Sequence, residues 1–165
     1  DERRQLDFED VLLACAGMLE AEPRVARPVR EQYRHFTVDE FQDVSPLQHR
    51  LLELWLGDRR DLCVVGDASQ TVYSFAGADA SFLLDFARRH PDARVIRLET
   101  NYRSAPEVLA VANALMRGRP GALELSAAAG TPGGPVPTVT EYEDDAAEAR
   151  GVAHRPRIQI GRAHV

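Results

Sequence analysis

Three times along this chain a short apolar run of strand length breaks off into a knot of polar residues, and this repeated step constrains the fold more than any other feature. Phe36-Thr37-Val38 runs into Asp39-Glu40-Phe41-Gln42-Asp43. Leu62-Cys63-Val64-Val65, a continuous apolar run of buried-strand length, runs into Gly66-Asp67-Ala68-Ser69-Gln70. The segment Ala93 to Leu98 leads to Asn101-Tyr102-Arg103-Ser104.

Amphipathic helices lie between these runs. Ser45-Pro46-Leu47-Gln48 places serine at an N-cap, proline at the first helical position and glutamine at the third. That capping box opens a helix that buries Leu47, Leu51, Leu52 and Trp55 and stops at Gly57. Ser104-Ala105-Pro106-Glu107 reads as a second box, with Val108, Leu109, Ala112, Leu115 and Met116 turned inward. Near the start, Val11, Leu12, Cys15, Ala16 and Leu19 recur at helical spacing after Asp7, and this helix is expected to fade at Glu22-Pro23 and Pro28. Phe82, Leu83 and Phe86 predict a short helix ended by His90-Pro91. After the Gly/Pro-rich loop from Gly130 to Pro137, a strand is expected over Val136 to Tyr142 and a helix from about Asp145. Strands alternating with helices predict an α/β fold with a largely parallel sheet, where functional groups collect at the carboxyl ends of the strands.

At 165 residues and 44% hydrophobic content, the chain has enough apolar material for one core or for pieces of two adjoining ones. No apolar run approaches the roughly 20 residues needed to span a bilayer, and the charged start, Asp1 to Arg4, lacks the apolar stretch of a secretory signal. A cytoplasmic setting without a membrane partner is expected. Cys15 and Cys63 each sit in an apolar pattern away from other ligands, which predicts buried, reduced thiols. The net charge of −6 disfavours a free-standing nucleic-acid-binding domain, so any DNA contact must be local. All 20 basic residues are arginine. A phosphate-binding loop of the form G-x-x-x-x-G-K-[ST] needs its lysine, so none lies within this sequence.

Each polar knot has a functional and a bland reading. Two adjacent carboxylates at a strand end, Asp39 and Glu40, suit nucleotide hydrolysis: one holds Mg²⁺ through its water shell while the other polarises the attacking water. An isolated acidic pair is more often a solvated turn. The Gln70 amide can sense a γ-phosphate, or simply belong to a strand exit. Tyr73 and Phe75 either stack on unpaired bases or fill a core. Arg103 is a functional cation or an ordinary arginine at a helix start.

Taken together, VDEFQD, VVGDASQTVYSFAGAD and LETNYRSAPEVL, in this order and spacing, resemble motifs II, III and IV of UvrD/PcrA-type superfamily 1 DNA helicases. The resemblance covers roughly Leu6 to Met116, including LDFEDVL at Leu6 to Leu12, and continues more weakly to about His154. It implies an internal fragment of an ATP-driven helicase. Residues 1–95 would be the end of a first RecA-like motor domain, residues 96–157 the start of a second, and residues 158–165 a non-native tail. ATP and Mg²⁺ are the implied cofactors, and single-stranded DNA and duplex junctions the implied partners; which proteins it meets the sequence leaves open.

Carried over by motif, Asp39 is the Walker B Mg²⁺ partner and Glu40 the general base. Gln70 contacts the γ-phosphate and couples it to DNA. Tyr73, with Phe75 beside it, lines the single-strand path. Tyr102 stacks on adenine, and Arg103 is an arginine finger reaching from the second domain. The family's implied activity is 3′ to 5′ translocation on a single strand, in repair or recombination.

The sequence departs from the family at Phe75-Ala76-Gly77, where an aromatic-Arg-Gly string is usual: phenylalanine replaces the more common tryptophan, and Ala76 stands where the arginine is expected. The related RecB/AddA helicase-nucleases share these motifs and form an alternative reading, as does a non-catalytic DNA-binding remnant. Beyond Pro156 helical periodicity is lost, and Ile160 to Val165 resembles a translated sequencing adapter, so no function is expected of the tail.

Overall fold

The computed structural model describes residues 6–154. Helix α1 (Phe8–Ala21) opens on a reciprocal box in which Asp7 accepts the Asp10 N–H at 2.8 Å and Asp10 accepts the Asp7 N–H at 3.2 Å. It ends at Glu22, as the sequence leads one to expect. The following prolines do not end helical structure, however. Pro23 starts a second helix, α2 (Pro23–Gln32), at the position where a missing N–H costs nothing, and Pro28 is carried inside it. Strand β1 (Phe36–Val38) follows, then α3 (Pro46–Leu56), whose Ser45/Gln48 capping box forms as expected, with bonds of 3.3 and 2.9 Å. Gly57 closes α3 at φ 60° and ψ −134°, a conformation reserved for glycine.

Helices α1, α2 and α3 enclose the main core. Ala16, Leu19, Ala26, Leu51 and Leu54 form its centre, flanked by Leu12, Cys15, Val29, Leu47 and Trp55. Val11, expected inward, lies on the exposed side of α1. Trp55 also stacks on Phe36, with centroids 6.1 Å apart and planes at 14°, which seats α3 on one face of the sheet.

Strand β2 (Leu62–Val64) pairs in parallel with β1, in the register Phe36 to Leu62, Thr37 to Cys63 and Val38 to Val64. The expected two-sided burial of this apolar run is not observed. Burial alternates along both strands, so Thr37 and Cys63 are exposed while Phe36, Val38, Leu62 and Val64 are partly covered. Cys63 is therefore a free, exposed thiol rather than a buried one; Cys15 is free and partly buried. Helices α4 (Ser81–Leu84) and α5 (Phe86–Arg89) divide the predicted short helix in two and stop at His90.

Residues 93–98 are not a strand. A strand needs a neighbour to take up its N–H and C=O groups, and among the described residues none runs beside this segment; Val95, Ile96 and Leu98 are exposed. Extended pairing comes later, where β3 (Thr100–Asn101) pairs in parallel with β4 (Ser126–Ala127), a strand the sequence pattern does not announce. Helix α6 (Pro106–Met116) keeps Pro106 at its first position, but its N-cap is Ala105 and the Ser104 box does not form. Asn101 Oδ1 takes the Arg103 and Ser104 N–H groups at 2.9 and 2.7 Å, while Glu107 accepts the Gly134 N–H at 2.8 Å. Leu109 is buried, whereas Val108 and Leu115 face outward.

The expected strand at 136–142 is also absent. Pro135 and Pro137 remove two ladder donors around Val136, and Val136 and Val139 are exposed. Helix α7 (Asp145–His154) begins where predicted. The tail at 158–165 lies outside the described residues. Among those described, no helix is long and apolar enough to cross a membrane.

Candidate functional site

Both strands of the β1–β2 sheet deliver their polar ends to the same place, because the ladder continues past them. Val65 N–H donates to Val38 O at 2.8 Å, and Phe41 N–H returns a bond to Val65 O at 2.9 Å. Asp39 and Glu40 occupy the tight turn between these two bonds. Both are exposed. Glu40 is held at φ 51° and ψ 40°, in the left-handed region, and stands out as the non-glycine residue with positive φ among those described. Such backbone costs on the order of 1–3 kcal/mol and persists only where the surroundings impose it. Here they do: Asp39 Oδ1 accepts the Glu40 N–H at 2.9 Å, and Phe41, 1% exposed, anchors the next residue in an edge-on contact with Phe86 at 5.9 Å.

Gln42, which the sequence reading passes over, is the best-buried polar side chain of the cluster at 1% exposure. Its Nε2 donates to Glu40 Oε2 at 2.8 Å and to Asp43 Oδ2 at 3.3 Å. Its Oε1 accepts the Asp67 N–H at 3.1 Å. The orientation of the amide is dictated by its neighbours, since a carboxylate only accepts and a backbone N–H only donates. Asp43 Oδ1 is buried without a hydrogen-bond partner among the described residues. The signal for Gln42 was an amide inside an otherwise acidic and aromatic string, but its partner 25 residues away is visible only in the fold.

Asp67 organises the second loop. Its Oδ1 accepts the Ser69 N–H at 2.9 Å and its Oδ2 accepts Gln70 Nε2 at 3.0 Å, so exposed Gln70 joins the network through Asp67. Three residues on, Tyr73 and Phe75 lie with ring centroids 6.1 Å apart and planes inclined at 50°. They are 54% and 85% exposed, so within this chain they lie outside the core. The loop returns to its origin, because Asp79 N–H donates to Val44 O at 3.2 Å.

Asp39, Glu40 and Gln70 are thus brought together, with Tyr73 and Phe75 on the same loop as Gln70. Tyr102 and Arg103 are not joined to them. Tyr102 is 83% exposed, and among the described residues no hydrogen bond or ion pair ties the Arg103 side chain to the cluster. What fixes this pair is its backbone, turned by Asn101 ahead of α6.

The donor set suits a hard cation shared with a substrate more than a protein cage. Among the described residues no three His, Cys, Asp or Glu side chains converge as ligands, and Mg²⁺ in phosphate chemistry needs only one or two carboxylates beside substrate oxygens.

The family model of the UvrD/REP helicase N-terminal domain matches residues 1–91. The ATP-dependent DNA helicase UvrD2 of Mycobacterium tuberculosis is 53% identical over 151 residues, covering 90% of this chain and 22% of that protein. UvrD1 of the same species is 42% identical over 118 residues, 67% of this chain and 15% of UvrD1. The putative ATP-dependent DNA helicase YjcD of Bacillus subtilis is 33% identical over 116 residues, 70% and 15% respectively. The chain therefore spans less than a quarter of the length of these curated relatives.

Proposed function

This chain belongs to the UvrD/REP helicase family, and from that premise we propose that it is an internal part of an ATP-dependent DNA helicase, contributing one side of the hydrolytic site and part of the single-strand path. The observation that carries the reading is Glu40: its carboxylate stands at the end of β1, on imposed left-handed backbone, hydrogen-bonded through Gln42 to the loop that bears Gln70. Hydrogen bonds through Gln42 and Asp67 link the two loops, which supports reading Glu40 as general base and Gln70 as the phosphate-sensing amide.

When bound, ATP with Mg²⁺ supplies the phosphoanhydride bond and the metal's neutralisation of phosphate charge. Asp39 is the carboxylate that would hold the ion, oriented by the Glu40 N–H on its Oδ1. Glu40 accepts a proton from the attacking water at its carboxylate. Gln70 senses the terminal phosphate and passes its presence to Tyr73 and Phe75, whose exposed rings stack on unpaired bases. Tyr102 stacks on adenine and Arg103 stabilises the transferred group from a second motor domain. On this reading residues 1–95 belong to the first RecA-like domain and 96–157 to the second. The activity of the whole protein is 3′ to 5′ translocation on single strands and unwinding at duplex junctions, in repair or recombination.

The test is Glu40→Gln in the full-length protein. The amide keeps the shape and removes the base, so kcat for DNA-stimulated ATP hydrolysis should fall by about 10² to 10⁴ while nucleotide binding persists. Wild-type turnover would remove Glu40 from the mechanism.

A further inference from the structure

We propose that Gln42 is a positioning residue that couples the DNA-facing loop to the hydrolytic carboxylate, an inference that rests on the function proposed above. The carboxamide of Gln42 has one end on each side of the site. Nε2 holds Glu40 Oε2 at 2.8 Å, and Oε1 holds the Asp67 N–H at 3.1 Å, at the start of the loop carrying Gln70, Tyr73 and Phe75. The far end of that loop is tied to the same turn through Asp79 N–H and Val44 O. The loop is therefore anchored at both ends on the segment that contains Glu40. A shift of the loop when Tyr73 and Phe75 engage a strand pulls on Asp67, and the rigid, 1% exposed amide transmits the displacement to the Glu40 carboxylate. No side chain other than Gln42 is hydrogen-bonded to both Glu40 and Asp67 among the described residues.

Gly66 adds an independent handle. A Cβ at this position would lie 2.6 Å from Gln42 Oε1, closer than real contacts allow, and its next neighbours are Leu83 Cδ2 at 3.0 Å and the Phe41 nitrogen at 3.2 Å. Gly66 is itself exposed and has no positive φ, so alanine fits its backbone and acts by displacing the amide.

The experiment uses the full-length protein, with ATP, Mg²⁺ and an oligothymidine strand as probes. In Gln42→Leu, the DNA-stimulated kcat should fall by about tenfold or more, as is usual for residues that orient an active group, with KM for ATP changed by less than about twofold. Gly66→Ala should show the same split with Gln42 intact. Placed in a Glu40→Gln background, Gln42→Leu should add no further loss, because the two act in series. A folded Gln42→Leu protein with full DNA stimulation, beside an inactive Glu40→Gln, overturns the coupling role and leaves the proposed function standing. If Gln42→Leu melts, Gly66→Ala decides: wild-type stimulation in that variant overturns the coupling role. Wild-type turnover in Glu40→Gln removes both.

Discussion

The turn at residues 39–43 and the turn at residues 101–104 both follow parallel strand pairs and both carry charged and aromatic side chains, yet they are organised differently. In the first, side chains bond to one another and to neighbouring backbone: Asp39 takes the Glu40 N–H, Gln42 bridges the Glu40 carboxylate and the Asp67 N–H, and the Asp67 carboxylate holds the Gln70 amide. In the second, a single side chain, Asn101, shapes the backbone, and among the described residues no hydrogen bond or ion pair orients the Tyr102 and Arg103 side chains. Under the proposed roles, Glu40 as general base must be aimed within the free protein, whereas Tyr102 and Arg103 act on something brought to them. The contrast fits the proposed site shared between two motor domains, with one half built in advance and the other presented.

The sharpest way to break this comparison is Arg103→Ala in the full-length protein. A finger arginine contributes about 10³ to 10⁵ in phosphoryl transfer, so steady-state hydrolysis should collapse while the melting temperature stays near wild type, since among the described residues no hydrogen bond or ion pair involves the guanidinium. An effect under about tenfold would reduce residues 101–104 to a helix lead-in.

Tyr73→Ala probes the loop attached to the first turn. Base stacking is worth about 1–3 kcal/mol, so affinity for single-stranded DNA should drop by roughly tenfold in a fluorescence titration, with nucleotide binding preserved. Unfolding without a separable DNA defect would contradict the exposed position of the ring.

A smaller effect comes from His49, which stacks on Phe82 with centroids 4.0 Å apart and ties α3 to α4 behind the first turn. Burial holds its pKa below the usual value; Glu53 opposes this, while Arg89 and His90 reinforce it. A depressed folded-state pKa means the unfolded chain binds the proton more readily. This contribution to stability is therefore fully present above about pH 6.5 and is lost as pH falls below it. Melting temperatures measured from pH 7.5 to 5 should decline, and His49→Gln should flatten the part of the decline that begins near pH 6.5.

Much of the first turn was legible because its determinants are local. The Ser45/Gln48 box spans three residues, and Asp39-Glu40 follows its strand directly, so a linear reading finds both. Pro23 was misread because proline that cannot continue one helix is well suited to begin another. Residues 93–98 have strand composition, but a ladder partner is a property of the fold and not of the segment. Ser104-Ala105-Pro106-Glu107 matches a capping box, yet Asn101 and Gly134 claim its groups first. Gln42 was hidden for the same reason: its importance lies in the Asp67 N–H, which parallel pairing of β1 and β2 brings to it. Cys63 looked buried because an unbroken apolar run does not reveal that only one face of its strand is covered.

The central claim is that this chain holds a partial hydrolytic site, with the base and the phosphate sensor in place and no lysine to secure the β- and γ-phosphates. The direct test is Mg²⁺-dependent ATP hydrolysis by the purified 165-residue chain with single-stranded DNA, beside the full-length protein. Because positioning supplies much of phosphoryl-transfer catalysis, the chain alone should show no hydrolysis above background while the full-length protein turns over. Robust hydrolysis by the 165-residue chain on its own would contradict the account.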